Sequence, residues 1–159
     1  MIVKMGGLAE ASIADATRSF ESRDIPLAEA VIERDKLIDE LEASINAQAV
    51  QVLALRSPNA VDLRLVLSVI KVSGNLERIG DYSKNMAKRT GMLLDLPDIE
   101  NAGSSLRRLG RKVELMLKDA LDAYIQRDPD LAEQVILQDI DVDQLYNGMF
   151  RQFLTYMID

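Results

Sequence analysis

Apolar residues recur along this chain with the period of a helix. Val31, Ile38, Ile45 and Val52 repeat every seven residues, with Leu41 and Leu55 interleaved. That is the seam of a helix packed nearly parallel to its neighbours. A second stripe, Leu63, Leu67, Ile70 and Gly74, follows helical spacing and then turns acidic at Glu77 and Asp81. Leu65, Val69, Val72, Leu76, Ile79 and Met86 lie on nearly the opposite side of the same helix, so burial on both faces is expected. Periodicity and punctuation predict five long helices. They run from about Met5 to Ser22, from the turn at Asp24 and Pro26 to Arg56, from Ala60 to Met92, from Ser104 to Gln126, and from Asp130 to Met157. Asp24 and Asp128 are the expected N-caps. Pro26 and Pro129 sit in first turns, where a missing N–H does no harm. Ser57 to Asn59 and the segment Leu93 to Gly103 are the expected breaks.

The chain repeats itself. Arg23 to Leu41, RDIPLAEAVIERDKLIDEL, aligns without a gap on Arg127 to Leu145, RDPDLAEQVILQDIDVDQL, with ten of nineteen positions identical at an offset of 104. The offset also places Asp15-Ala16 on Asp119-Ala120 and Phe20 on Tyr124. The expected fold is therefore all-α in two copies. A complete three-helix bundle spans residues 1–95, and a second repeat of two helices spans 96–159. Leu131, Val135, Val142, Leu145, Met149 and Phe153 are then expected to lack part of their cover. Apolar area of that kind is expected to meet another chain, giving a homodimer or higher oligomer, or to belong to a fragment of a longer protein.

Composition narrows the function. Of 159 residues 48% are hydrophobic, enough for a packed core. A net charge of −7 argues against a general nucleic-acid binder, since no overall positive field meets the phosphates. Arg64, Lys71 and Arg78 line one side of the third helix as a candidate partner-binding patch, a solvated face being the plainer reading. No apolar run approaches the roughly 20 residues that cross a bilayer, and no signal peptide is evident. A cytoplasmic protein is expected. Cysteine and histidine are both absent, so any metal must be held by oxygen. No nucleophile–base pair or phosphate loop is present, so an enzyme, including a phosphate-handling hydrolase, is not expected.

Three acidic pairs share one spacing: Asp35 with Asp39, Glu77 with Asp81, and Asp139 with Asp143. Each pair points to one side of its helix, with Cβ atoms about 6 Å apart. Like charges so placed repel, and an unpartnered carboxylate on a buried stripe costs several kcal/mol. Gly74, one turn before Glu77, is expected to leave room beside them. Two readings stay open. The carboxylates are solvated or paired with Arg78, Lys36 or Lys84, in a helical adaptor that needs no metal. Alternatively, facing helices gather them around a hard multivalent cation, such as Fe³⁺, Mg²⁺, Mn²⁺ or Ca²⁺, which cancels the repulsion and fastens the helices together.

The stretch SPNAVDLRLVLSVIKVSGNLERIGDYSKNMAKR, Ser57 to Arg89, resembles the signature helix of the PhoU family of phosphate-uptake regulators. MGGLAEASIADA, both RD…LAE…D copies and FRQFLTYMID fit as well. The resemblance implies tandem three-helix bundles whose acidic motifs bind multinuclear metal clusters. Iron would be the expected metal, with magnesium, manganese, calcium or zinc as alternatives. It implies metal at Glu77 and Asp81 with Asp35 and Asp39 opposite, and less firmly at Asn85, Asp139 and Asp143. It implies a regulator rather than a catalyst, acting peripherally at the inner face of the membrane. There it would restrain a phosphate ABC transporter and report phosphate status to a sensor histidine kinase. The family's last helix, with its second acidic motif, is absent from this sequence, so Asp139 and Asp143 lack their expected facing ligands.

Overall fold

The computed structural model describes residues 1–56, 59–94 and 102–158. The breaks expected at Ser57-Pro58 and over most of Leu93 to Gly103 lie outside the described residues. The described chain is helical almost throughout: α1 (Ile2–Ser22), α2 (Ile25–Arg56), α3 (Ala60–Thr90) continued by a single 3₁₀ turn (Gly91–Leu93), α4 (Ala102–Gln126) and α5 (Pro129–Ile158). α1 starts three residues before the expected Met5, and α4 two before Ser104. α1 has no side-chain cap, so periodicity says little about its first turn.

The duplicated Arg-Asp dipeptides make the two sharp turns. Arg23 and Arg127 take the left-handed conformation, with φ of 56° and 55°. Behind Arg23 the Asp24 N–H reaches the Ser19 carbonyl at 3.0 Å, and behind Arg127 the Asp128 N–H reaches that of Ala123 at 2.9 Å. Each Asp then caps the next helix: Asp24 Oδ1 accepts from the Leu27 N–H, and Asp128 Oδ1 from those of Asp130 and Leu131. Two-residue turns of this kind force each helix to double back on the one before it.

α1, α2 and α3 pack on one another, α5 packs on α4, and α1 packs on α4. The main core joins both copies: Met5 and Ala9 of α1, Ile38 and Ile45 of α2, Leu76 of α3 and Leu121 of α4. A smaller cluster gathers Ala16, Ala28, Val31 and Ala87, with Ile32 and Met86 against it. Small polar residues let the helices of the first bundle approach closely. Ser19 and Thr90 are both buried with hydroxyls 3.4 Å apart, while Ser73 and Ser83 turn theirs onto carbonyls one turn back.

The α1–α4 contact is self-complementary. A Cβ on Gly6 would lie 2.7 Å from Leu121 Cδ1, and a Cβ on Gly110 would lie 2.6 Å from Thr17 Cγ2. Gly6 and Gly110 are equivalent under the offset of 104, as are Thr17 and Leu121. The two copies therefore meet as an isologous pair meets across a twofold axis, each placing its glycine under the other's bulkier residue.

Two expectations about burial need correction. The α2 seam is buried at Val31, Ile38 and Ile45, but Leu55 is 74% exposed and Val52 is also exposed. On α3 the first part of the stripe is bare as well: Leu63, Leu65 and Leu67 are exposed and Val61 is 76% exposed. The helical period is correct there, but these side chains find no cover among the described residues. On α5, Leu131, Val135, Val142, Leu145, Met149 and Phe153 are half-covered, as a single partner helix allows. The exposed large apolar side chains of α5 are a different set: Ile136, Leu137, Ile140, Tyr146, Phe150 and Leu154.

Candidate metal centre

Because Val31, Ile38 and Ile45 drive α2 against α3, the residues beside that seam are brought together. Asp35, Asp39 and Glu42 follow one side of α2 at spacings of four and three, and Glu77, Asp81 and Lys84 repeat the pattern on α3. Asp35 lies deepest, with 3% of its surface exposed. Its Oδ2 accepts a hydrogen bond from the Lys84 ammonium, which also donates to Asp81 Oδ1. Lys84 thus ties α2 to α3 through two carboxylates. Of the cations named as possible partners, Lys84 takes that place. Lys36 turns to Glu33, at 2.7 Å, and Arg78 is exposed.

The remaining charge is not offset. Burial, then Asp35 and Asp81, push the Asp39 carboxyl above its ordinary range against the opposing pull of Lys84. Burial, then Asp81, Glu42 and Asp39, do the same to Glu77. Asp81 moves the other way, held down chiefly by the hydrogen bond from Lys84. The Lys84 ammonium is itself held well above its ordinary value, by its bond to Asp35 first and to Asp81 second. Five carboxylates around one ammonium leave a local excess of negative charge between two helices.

One buried oxygen of this cluster has no partner among the described residues. Asp35 Oδ1 is buried and accepts no hydrogen bond. Gly80 makes room for this close approach of the helices: a Cβ there would stand 3.1 Å from Asp35 Oδ1 and 3.0 Å from Ile38 Cδ1. The expectation that Gly74 makes this room is corrected. A Cβ there would meet only Glu42 Oε1, at an ordinary 3.7 Å.

All donors are oxygens, which suits a hard cation, and the orphaned buried Oδ1 beside a surplus of negative charge fits one. As the side chains stand, however, no three carboxylates among the described residues gather around a point an ion could occupy. Lys84 is bonded to two of them instead. Glu42, one turn beyond Asp39, was not among the residues expected from the sequence. Its equivalent in the second copy is Tyr146, so comparing the copies concealed it, whereas its spacing of seven from Asp35 would have revealed it.

The other expected residues do not join this face. Asn85 is exposed on the flank of α3, and Asp139 and Asp143 are exposed on α5. Arg64, Lys71 and Arg78 are all exposed along one side of α3. No described helix is long and apolar enough to cross a membrane.

Comparison with known proteins places the sequence and the fold. The sequence matches the PhoU domain over residues 2–90 and 106–159. It is 41% identical over 157 residues to the phosphate-specific transport system accessory protein PhoU homologue of Caulobacter vibrioides, covering 99% of this chain and 68% of that one. With the accessory protein PhoU of Escherichia coli it shares 38% identity over 158 residues, covering 99% of this chain and 65% of the other. The fold matches the crystal structure of PhoU from Pseudomonas aeruginosa with a TM-score of 0.94 at 37% identity, over 99% of this chain and 75% of that one. The chain thus spans about two thirds of the length of these curated relatives.

Proposed function

The chain belongs to the PhoU family, and from that premise we propose that it regulates phosphate uptake as a non-catalytic accessory protein of a phosphate transport system. The observation carrying this is identity of about two residues in five with curated accessory proteins, sustained over nearly the whole chain. Its proposed partners are a phosphate ABC transporter and a sensor histidine kinase, met from the cytoplasmic side of the membrane. It would work by presenting a rigid helical surface. The exposed Arg64, Lys71 and Arg78, together with the bare apolar tip of α2 and α3, are the proposed contacts.

Asp35, Asp39, Glu77 and Asp81, with Glu42 beside them, are proposed to hold a hard cation. When bound, such an ion would cancel the repulsion among these side chains and fasten α2 to α3. The support is the convergence of the carboxylates and the unpartnered Asp35 Oδ1. A second reading, an adaptor that uses no metal, is favoured by Lys84, which already bridges the two helices.

Expression of the chain in bacteria lacking their own accessory protein tests the regulatory reading. A phosphate-starvation reporter is expected to be repressed again in phosphate-rich medium. A soluble chain that leaves the reporter fully on would sink it.

A further inference from the structure

We propose that the α2–α3 acidic face is an ion-exchange site: Lys84 is its resident cation, and an incoming multivalent ion binds by displacing that ammonium from Asp35 and Asp81. The inference rests on the metal reading above and adds the residue that controls it.

The geometry supports exchange over simple addition. The two oxygens Lys84 engages, Asp35 Oδ2 and Asp81 Oδ1, lie on different helices. An ion ligated by both α2 and α3 must therefore compete for them. Among the described residues no ready-made cage of three carboxylates exists. Asp35 Oδ1, buried and unpartnered, is a deep acceptor that Lys84 leaves unused, with Gly80 packed close beside it. A single positive charge cannot serve both oxygens of Asp35 together with Asp39, Glu42, Glu77 and Asp81. A doubly or triply charged ion with several coordination positions can.

Exit is open to the displaced group. The Lys84 side chain retains 21% of its surface exposed, and Asp81, its outer partner, retains 44%. A lysine is suited to this part, being a compact charge on a flexible four-carbon stem that rehydrates readily. The consequence is selectivity. An ion must repay the loss of two charge-assisted hydrogen bonds, so monovalent ions are excluded and multivalent affinity is set by Lys84. With no metal the same lysine keeps the helices joined.

The test is Mn²⁺ binding to the full chain and to Lys84→Met, which keeps the apolar stem. Affinity is followed by the loss of the free-ion electron paramagnetic resonance signal. Removing the competing charge is expected to tighten binding by about ten- to a hundredfold. In the unsubstituted chain, Mn²⁺ is also expected to speed acylation of Lys84 by an amine reagent, read by mass spectrometry, because the freed ammonium loses its two carboxylate partners. That measurement needs no variant, and Lys84→Gln serves if Lys84→Met fails to fold. Binding by the variant alone would show that Lys84 excludes the ion and does not yield to it, which overturns exchange. Equal or weaker affinity in the variant, with Lys84 acylation unmoved by Mn²⁺, overturns exchange and leaves the metal reading standing. No binding by either chain overturns both.

Discussion

Asp35 with Asp39 and Asp139 with Asp143 have one spacing, on one face, at equivalent positions of two copies, yet they have opposite surroundings. The first pair meets Glu77, Asp81 and Lys84 across a helix interface, with Asp35 almost fully buried. The second pair is exposed on a helix whose corresponding face carries no partner among the described residues. The apolar positions differ in the same way. Ala16, Ala28, Val31 and Ile32 close around Met86 and Ala87 of α3. Their equivalents Ala120, Ala132, Val135 and Ile136 line an open groove. The motif is thus half of a site. A facing helix supplies the other half, raising the cost of ionisation at Asp39 and Glu77 and bringing in the lysine that relieves part of it.

Substitutions at equivalent positions measure how much the facing helix contributes. Ile38→Ala empties a position buried in the main core and is expected to destabilise by about 2–5 kcal/mol in urea titrations. Its equivalent, Val142→Ala, removes a half-covered side chain and is expected to cost about 1 kcal/mol or less. Similar losses at both would mean that α3 does not create the difference.

Cation binding should divide the pairs more sharply. At about a hundred times its dissociation constant, Mn²⁺ is expected to stabilise the parent chain by about 2.7 kcal/mol. Replacing Asp139 and Asp143 by Asn should leave that gain intact. Replacing Asp39 by Asn and Glu77 by Gln should abolish it without weakening the metal-free protein, because burial and neighbouring charge oppose ionisation of both carboxyls. Thermal melts with and without Mn²⁺ make the comparison.

Glycines give a smaller, signed effect. Gly80→Ala drives a methyl group into Ile38 and Asp35 and is expected to destabilise by about 1–3 kcal/mol. Gly74→Ala and Gly148→Ala meet only ordinary contact or open space. They should each stabilise by about 0.5–1 kcal/mol, the usual gain of Ala over Gly inside a helix. Denaturant midpoints of the three variants check the signs.

The smallest effect tests the seam between the copies. Glu10 of α1 has its carboxyl raised by burial first, then by Asp122, with Lys118 of α4 opposing. A raised acid disfavours folding while ionised, so the penalty holds at neutral pH and fades as pH falls through the folded and then the unfolded value. Glu10→Gln should therefore be more stable than the parent at pH 7 by a few tenths of a kcal/mol. The difference should close by about pH 4, followed by urea titration at each pH.

Much of the molecule could be read from its residues alone. Helices, the Asp24 and Asp128 caps and the duplication are local or periodic features, written in side-chain spacing and cap chemistry, and they needed no coordinates. The family followed from the run Ser57 to Arg89 in the same way. Which stripe is covered is not local. Leu63 and Leu67 have the same periodicity as buried leucines, yet they find no cover among the described residues. Nor could spacing distinguish Asp35 from Asp139, choose Lys84 over Lys36 and Arg78, or name Gly80 rather than Gly74. Each of those depends on which atoms of a second helix stand within a few ångströms, a distance set by packing across the interface and not by position along one chain.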